Sequence, residues 1–206
     1  MPSFAPIVVL LFVGTIAAGM LASAIFVYGA VRGLPVVRRG AGIALLLIPA
    51  GYATLLLGAS FGSRDRVLPV GARKYFCEID CHLACSVERV ERTKDPGGTL
   101  TVVTFKTWFD ESTVSPPRPR DVPLYPNPRQ IFVADASGHR FPLVRIESTP
   151  LSRPLIPGES YRTRLVFDLP DGVREPRLFV GDADPISTFL IGHERSPFHR
   201  KVWFGI

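Results

Sequence analysis

The feature that most constrains this chain is where charge is missing. Of its 24 Lys/Arg and 18 Asp/Glu residues, only Arg32, Arg38 and Arg39 precede Arg64. These three separate two uncharged runs, residues 6–31 (PIVVLLFVGTIAAGMLASAIFVYGAV) and 41–61 (AGIALLLIPAGYATLLLGASF). A bilayer core about 30 Å thick is crossed by roughly 20 helical residues, so each run is long enough to span it. Buried helices of soluble proteins are seldom apolar on every face for this length. The first run also lacks the basic start and short apolar stretch of a cleaved signal peptide. The expectation is a retained transmembrane helical hairpin over residues 1–62, with helices at 6–31 and 41–61 and a kink at Pro49, which membrane helices tolerate.

The arginine-bearing connection, 32–40, sets the expected orientation. Short loops rich in Lys/Arg stay in the cytoplasm, which places the C-terminal part outside it. Arg64, Arg66, Arg73 and Lys74 compete with that signal, but long translocated domains weigh less in the rule. The chain is then integral to the inner or plasma membrane, with its C-terminal domain extracytoplasmic. Gly14, Ala18 and Ala22, and Gly58 and Gly62, recur at close-packing spacing. They serve pairing within the hairpin, with homo-oligomerisation as the second use. Neither span holds a charged residue or a histidine, which argues against an ion pathway.

Beyond the hairpin the chain is only about +3, so the overall charge of +6 comes partly from a short basic connection. It is not the clustered basic face of a nucleic-acid binder. Most of the 20 prolines lie in this part and disfavour long helices there. After a linker at 63–73, residues 74–206 read as strands. Residues 77–87 alternate, with Cys77, Ile79, Cys81, Leu83, Cys85 and Val87 on one face. The turn KDPGG at 94–98 leads into TLTVVTFKTWF at 99–109, so these two segments predict a β-hairpin. Further strands are expected at 130–134, 139–146, 161–170, 177–181 and 201–206. Turns at 135–138 (DASG) and 157–160 (PGES) fall between them. Roughly seven short strands with one apolar face predict a mainly β domain, an antiparallel immunoglobulin-like β-sandwich.

PGES followed by LVFDLP, together with FCEIDCHLACSV, FDEST, the pattern V-x-D-A-x-G-x-R-F at 133–141 and IGHERSPFHRK, resembles an uncharacterised bacterial family. Its members are membrane-anchored immunoglobulin-like (β-sandwich) proteins with an N-terminal transmembrane hairpin. The resemblance covers most of 74–206. It implies the fold and an extracytoplasmic setting, and it brings no substrate, cofactor or catalytic residue.

Two clusters could carry chemistry. In the first, Cys77, Cys81 and Cys85 lie on the apolar strand face, where free cysteine packs as a small hydrophobe. A Cys77–Cys81 disulfide is the second reading. It requires a break in the strand, because extended Cα atoms four residues apart are about 13 Å apart at roughly 3.3 Å per residue, beyond the roughly 7 Å limit. A metal site is the third, since thiolates and imidazole suit zinc or copper(I), although His82 points away from the cysteines in a regular strand. The second cluster, His193-Glu194-Arg195 with His199, reads as a solvated loop. No serine sits in a G-x-S-x-G or S-x-x-K context and no glycine loop cradles a phosphate. The expected function is a non-enzymatic, membrane-tethered binding or structural module of the cell envelope. It needs no cofactor; its partners are the bilayer and another envelope protein, and nucleic acid is not among them. The alternative is a zinc- or copper-handling envelope protein using Cys77, Cys81 and His82 with His193 or His199.

Overall fold

The computed structural model describes residues 5–76, 82–95, 98–114, 118–127 and 129–206. The chain divides into two compact units. One holds the N-terminal helices and residues 186–199; the other holds 64–185 and 200–206.

The first unit is built on α1 (Ala5–Val31) and α2 (Pro35–Phe61), each long and apolar enough to cross a bilayer. The sequence places the start of the second helix at 41. The structure begins it at Pro35, so Arg38 and Arg39 lie in helix and only Arg32–Leu34 connect the two. Proline suits this first helical position because its missing N–H has no intrahelical acceptor there. The tight connection uses Gly33 at φ 67° and a bond from Leu34 N–H to Gly29 C=O at 2.8 Å. A Cβ on Gly29 would lie 2.9 Å from Arg38 N; only glycine lets the helices meet so closely here. Of the small residues singled out by spacing, Ala22 is buried, whereas a Cβ on Gly14 or Gly58 would meet nothing within 4 Å. The close approach therefore falls at Gly29, with Ala22 and Ala41 buried, and not at Gly14 or Gly58. The four helical serine and threonine hydroxyls, Thr15, Ser23, Thr54 and Ser60, donate to the carbonyl four residues earlier at 2.7–2.8 Å. Such back-bonding satisfies a hydroxyl within its own helix, as a helix in lipid would require.

The second unit is mainly β. Its strands are β1 (Arg66–Leu68), β2 (Lys74–Phe76), β3 (Leu83–Asp95), β4 (Gly98–Phe109), β5 (Arg129–Ala134), β6 (Arg140–Ser148), β7 (Ser160–Asp168), β8 (Arg177–Asp182) and β9 (Val202–Gly205). They form one mixed sheet in the order β1-β9-β8-β5-β6-β7-β4-β3-β2. Laid flat, nine strands about 4.8 Å apart would put the outer two roughly 38 Å from each other. Yet β1 and β2 are joined by residues 69–73 alone, a reach of at most about 22 Å. The sheet must curl, and it closes nearly into a barrel. Strand β6 makes the corner: its first residues pair with β5, and beyond an irregularity at Leu143/Arg145 it pairs with β7.

The expected hairpin is present as β3 and β4, whose register runs from Leu83↔Phe109 to Asp95↔Gly98. Residues 77–81, the start of the expected strand, lie outside the described residues. A bulge between Val87 and Arg89 inserts Glu88 and shifts the inward set from Leu83, Cys85 and Val87 to Val90, which pairs with Val103. On β7, Tyr161, Thr163, Leu165 and Phe167 are buried between exposed Arg162 and Arg164, as the alternation requires. Among the described residues the domain has nine strands rather than the roughly seven antiparallel ones expected, with β1 and β9 parallel. Strand β1 falls within 63–73, the stretch read as linker. The core is led by Phe105, Phe109, Phe167 and Phe204, all fully buried.

Candidate functional site

Three strands and two loops build an open groove of about 360 Å³ on the outer side of the sheet. Strand register sets its rows: Ser86, Lys106 and Arg162 align, then Ala84, Trp108 and Ser160. Lys106 and Trp108 alternate outward on β4 because the fully buried Phe105 and Phe109 take the inward positions. The wall is the β1–β2 loop, held over β3 by a 2.8 Å bond from Gly71 N–H to Val87 C=O. Gly71 has φ 85°, which L side chains rarely adopt. That loop brings Arg73 over the indole of Trp108, its Cζ 4.9 Å from the ring centroid, while Lys106 Nζ lies at 5.9 Å.

Glu88, delivered by the bulge, accepts from Arg162 Nε at 2.6 Å and lies 3.9 Å from Lys106 Nζ. The glutamate raises the Arg162 pKa through that hydrogen bond. The groove thus offers an indole face between cations, two serine hydroxyls (Ser86, Ser160) and one carboxylate already engaged with Arg162. Such a set binds by stacking and charge. The outward K-T-W on β4 was the available sequence signal, a tryptophan on the face opposite the apolar alternation.

A second polar group is buried where the sheet closes. Lys74 Nζ donates to Val180 C=O at 2.6 Å and Val202 C=O at 3.3 Å, bridging β2 to β8 and β9. Arg129 and Asp182, 5% and 6% exposed, approach to 3.8 Å. The Arg129 guanidinium stacks 4.2 Å over Phe76. These contacts tie the two edges of the sheet together. Beside them Cys85 is buried against the Thr107 hydroxyl at 3.6 Å, and burial pushes its thiol pKa up to about 11. A thiol held protonated in this way is a poor nucleophile and metal ligand. Cys85 is a free, buried cysteine.

Of the residues with ligand chemistry, Cys77 and Cys81 lie outside the described residues. His82 is buried, stacked on Phe109 at 5.4 Å, with Nδ1 2.6 Å from Thr113 Oγ1. His193 and His199 belong to the helical unit, in successive turns around Ser196. Among the described residues no group of three His, Cys, Asp or Glu side chains is placed to hold a metal. Two of the short motifs behind the resemblance, FDEST and the one at 133–141, make turns. Asp110 of FDEST caps its 3-10 turn through Ser112 N–H and accepts from the Ser112 and Tyr75 hydroxyls, which hold its carboxyl below the usual range. Asp135 accepts from the N–H groups of Ser137 and His139, with Gly138 at φ 86°. No protein-family model, curated protein or solved structure matches this chain.

Proposed function

We propose that the chain is a membrane-tethered, non-enzymatic binding module of the cell envelope that offers the Trp108 groove to an acidic, extended partner. The observation that carries the reading is the indole flanked by Arg73 and Lys106 in an open groove, on a chain that begins with two apolar helices. Around the rim the three cations Arg73, Lys106 and Arg162 outnumber Glu88, which favours carboxylate-bearing ligands. No imidazole stands among the groove's lining residues to activate Ser86 or Ser160. Arg32, Arg38 and Arg39 at the tip of the hairpin favour a cytoplasmic turn, and hence an integral inner or plasma membrane protein with its β domain outside the cytoplasm. Kinship with hairpin-anchored immunoglobulin-like envelope proteins is part of the proposal, supported by the turn residues Asp110, Asp135 and Gly138. Gly14 and Gly58 leave small-residue faces open to a second copy.

A photo-crosslinker at Lys106 in intact envelopes tests the groove. A discrete adduct that disappears on Trp108→Ala is the expected result. Adducts no stronger than those from exposed Val144 on β6 would sink the reading. Metal handling through Cys77, Cys81 and His82, with His193 or His199, is the competing class. A melting temperature unmoved by chelator separates the two, because a bound metal stabilises by mass action.

A further inference from the structure

Residues 186–199, which connect β8 to β9, belong to the same compact unit as the helical hairpin. The Phe189 ring stacks on Phe12 of α1 at 6.4 Å, and Tyr52 of α2 donates its hydroxyl to Phe189 C=O at 2.6 Å. Further along, Phe198 stacks on Phe61 at 5.4 Å. Tyr52 precedes Phe61 by nine residues, about 14 Å along a helix rising 1.5 Å per residue. The segment therefore runs alongside the last two to three turns of α2.

Its backbone is irregular and bonds in part to itself. Leu190 N–H donates to Ser187 C=O, His193 to Leu190, Ser196 to His193 and His199 to Ser196, all at 2.9–3.2 Å. The Ser196 hydroxyl adds a second bond to Leu190 C=O, and Arg195 N–H donates to His193 Nδ1. Four consecutive three-residue turns pair these backbone groups within the segment, which lowers the cost of non-helical chain at membrane depth. At the same time the segment turns apolar side chains outward: Ile186, Phe189 and Phe198 are 56%, 55% and 69% exposed. A water-facing loop has no reason to combine the two.

We propose that residues 186–199 form a second membrane-contacting element, a wedge that enters the lipid leaflet alongside the C-terminal end of α2. Its occupant is phospholipid, an identification that follows from continuity with the exposed apolar surface of the helices. The inference rests on the membrane reading of the hairpin. The loop between β8 and β9 then contacts lipid directly, and Glu194 and Arg195 take the headgroup region beyond the apolar tip.

The test places p-benzoylphenylalanine singly at Ile186, Phe198, Leu46 and Tyr125 in the full chain. Leu46 is the exposed hairpin reference and Tyr125 the exposed reference in the β domain. Each variant is reconstituted in phosphatidylethanolamine/phosphatidylglycerol nanodiscs and irradiated, and lipid adducts are measured by mass spectrometry. The expected result is a yield at Ile186 and Phe198 at least about tenfold above Tyr125, approaching that at Leu46. Yields at both positions equal to Tyr125, with Leu46 still labelled, would overturn the wedge and leave the hairpin reading intact. Loss of labelling at Leu46 as well would overturn both.

Discussion

In the helical hairpin Leu10 and Leu46 are 70% and 73% exposed, while the four serine and threonine hydroxyls are folded back onto helix carbonyls. In the β domain the large apolar side chains Phe105, Phe109, Phe167 and Phe204 are fully buried, and Arg162 and Arg164 face outward. One unit hides its polar atoms and displays its apolar ones; the other does the reverse. The difference is what two solvents would demand of one chain whose helices span a bilayer, as proposed. Lipid leaves backbone and hydroxyl groups no outside partner, whereas water drives apolar area inward.

The largest expected effect comes from the unit whose apolar groups are inside. Phe105→Ala removes a fully buried ring and is expected to cost about 3–5 kcal/mol. Leu46→Ala, at an exposed helix position, is expected to change stability in detergent by less than about 0.5 kcal/mol. Denaturant titrations followed by tryptophan fluorescence and circular dichroism compare the two; similar losses would erase the distinction. Next comes the sheet closure. Lys74→Ala deprives two carbonyls of their charged donor and is expected to cost about 3 kcal/mol, read in the same titrations.

Burial also predicts an alkaline limit confined to the β domain. Cys85 is raised to about 11 from 9.0 and Tyr161 to about 12 from 10.0, both chiefly by burial. The folded state thus holds these protons more tightly than the unfolded one. The associated stability is present below pH 9 and is lost as pH climbs through 11 and then 12. For Cys85 the loss is on the order of 2 kcal/mol. Melting temperature measured against pH should stay level from 7 to 9 and fall above it, with Cys85→Ala blunting the first part of the fall. A level profile would mean that the thiol is not buried.

How much of this could be read from the residues depends on the range of each interaction. The helices were legible because apolar length alone specifies them, and β3–β4 because alternation and a Pro-Gly-Gly turn are local signals. Strands β1 and β2 were not. Each has three residues, too few for a period, and β1 takes its partner β9 from more than 130 residues away. The Glu88 bulge left a trace in the three-residue spacing of Val87 and Val90, which breaks a period of two. Lys74, Arg129 and Asp182 meet only because the sheet curls. The His193–His199 stretch read as solvated loop; its place beside the helices depends on Phe12, Tyr52 and Phe61, whose aromatic contacts carry no sequence pattern. The Trp108 groove was half legible, since its outward tryptophan follows from alternation while Arg73 arrives by a loop.

A smaller effect sharpens the comparison inside the hairpin. A Cβ on Gly29 would press on Arg38 N, whereas one on Gly14 would meet nothing. Gly29→Val is expected to lower hairpin stability by about 1–3 kcal/mol, and Gly14→Val to leave it unchanged in a monomer. Thermal melts at 222 nm in detergent compare them. Equal effects would mean that the two helices do not meet where the structure places them.

The central claim is that this chain is built for two solvents, and side-by-side footprinting of the full chain in nanodiscs tests it most directly. One reagent is a lipid-confined diazirine and the other is hydroxyl radical in the water phase. The expected result is diazirine labelling with radical protection at Leu10, Leu46 and Leu47, and the opposite pattern at Tyr125 and Val144, all of them exposed side chains. Radical labelling of Leu10 and Leu46 as strong as that of Tyr125 would contradict the account.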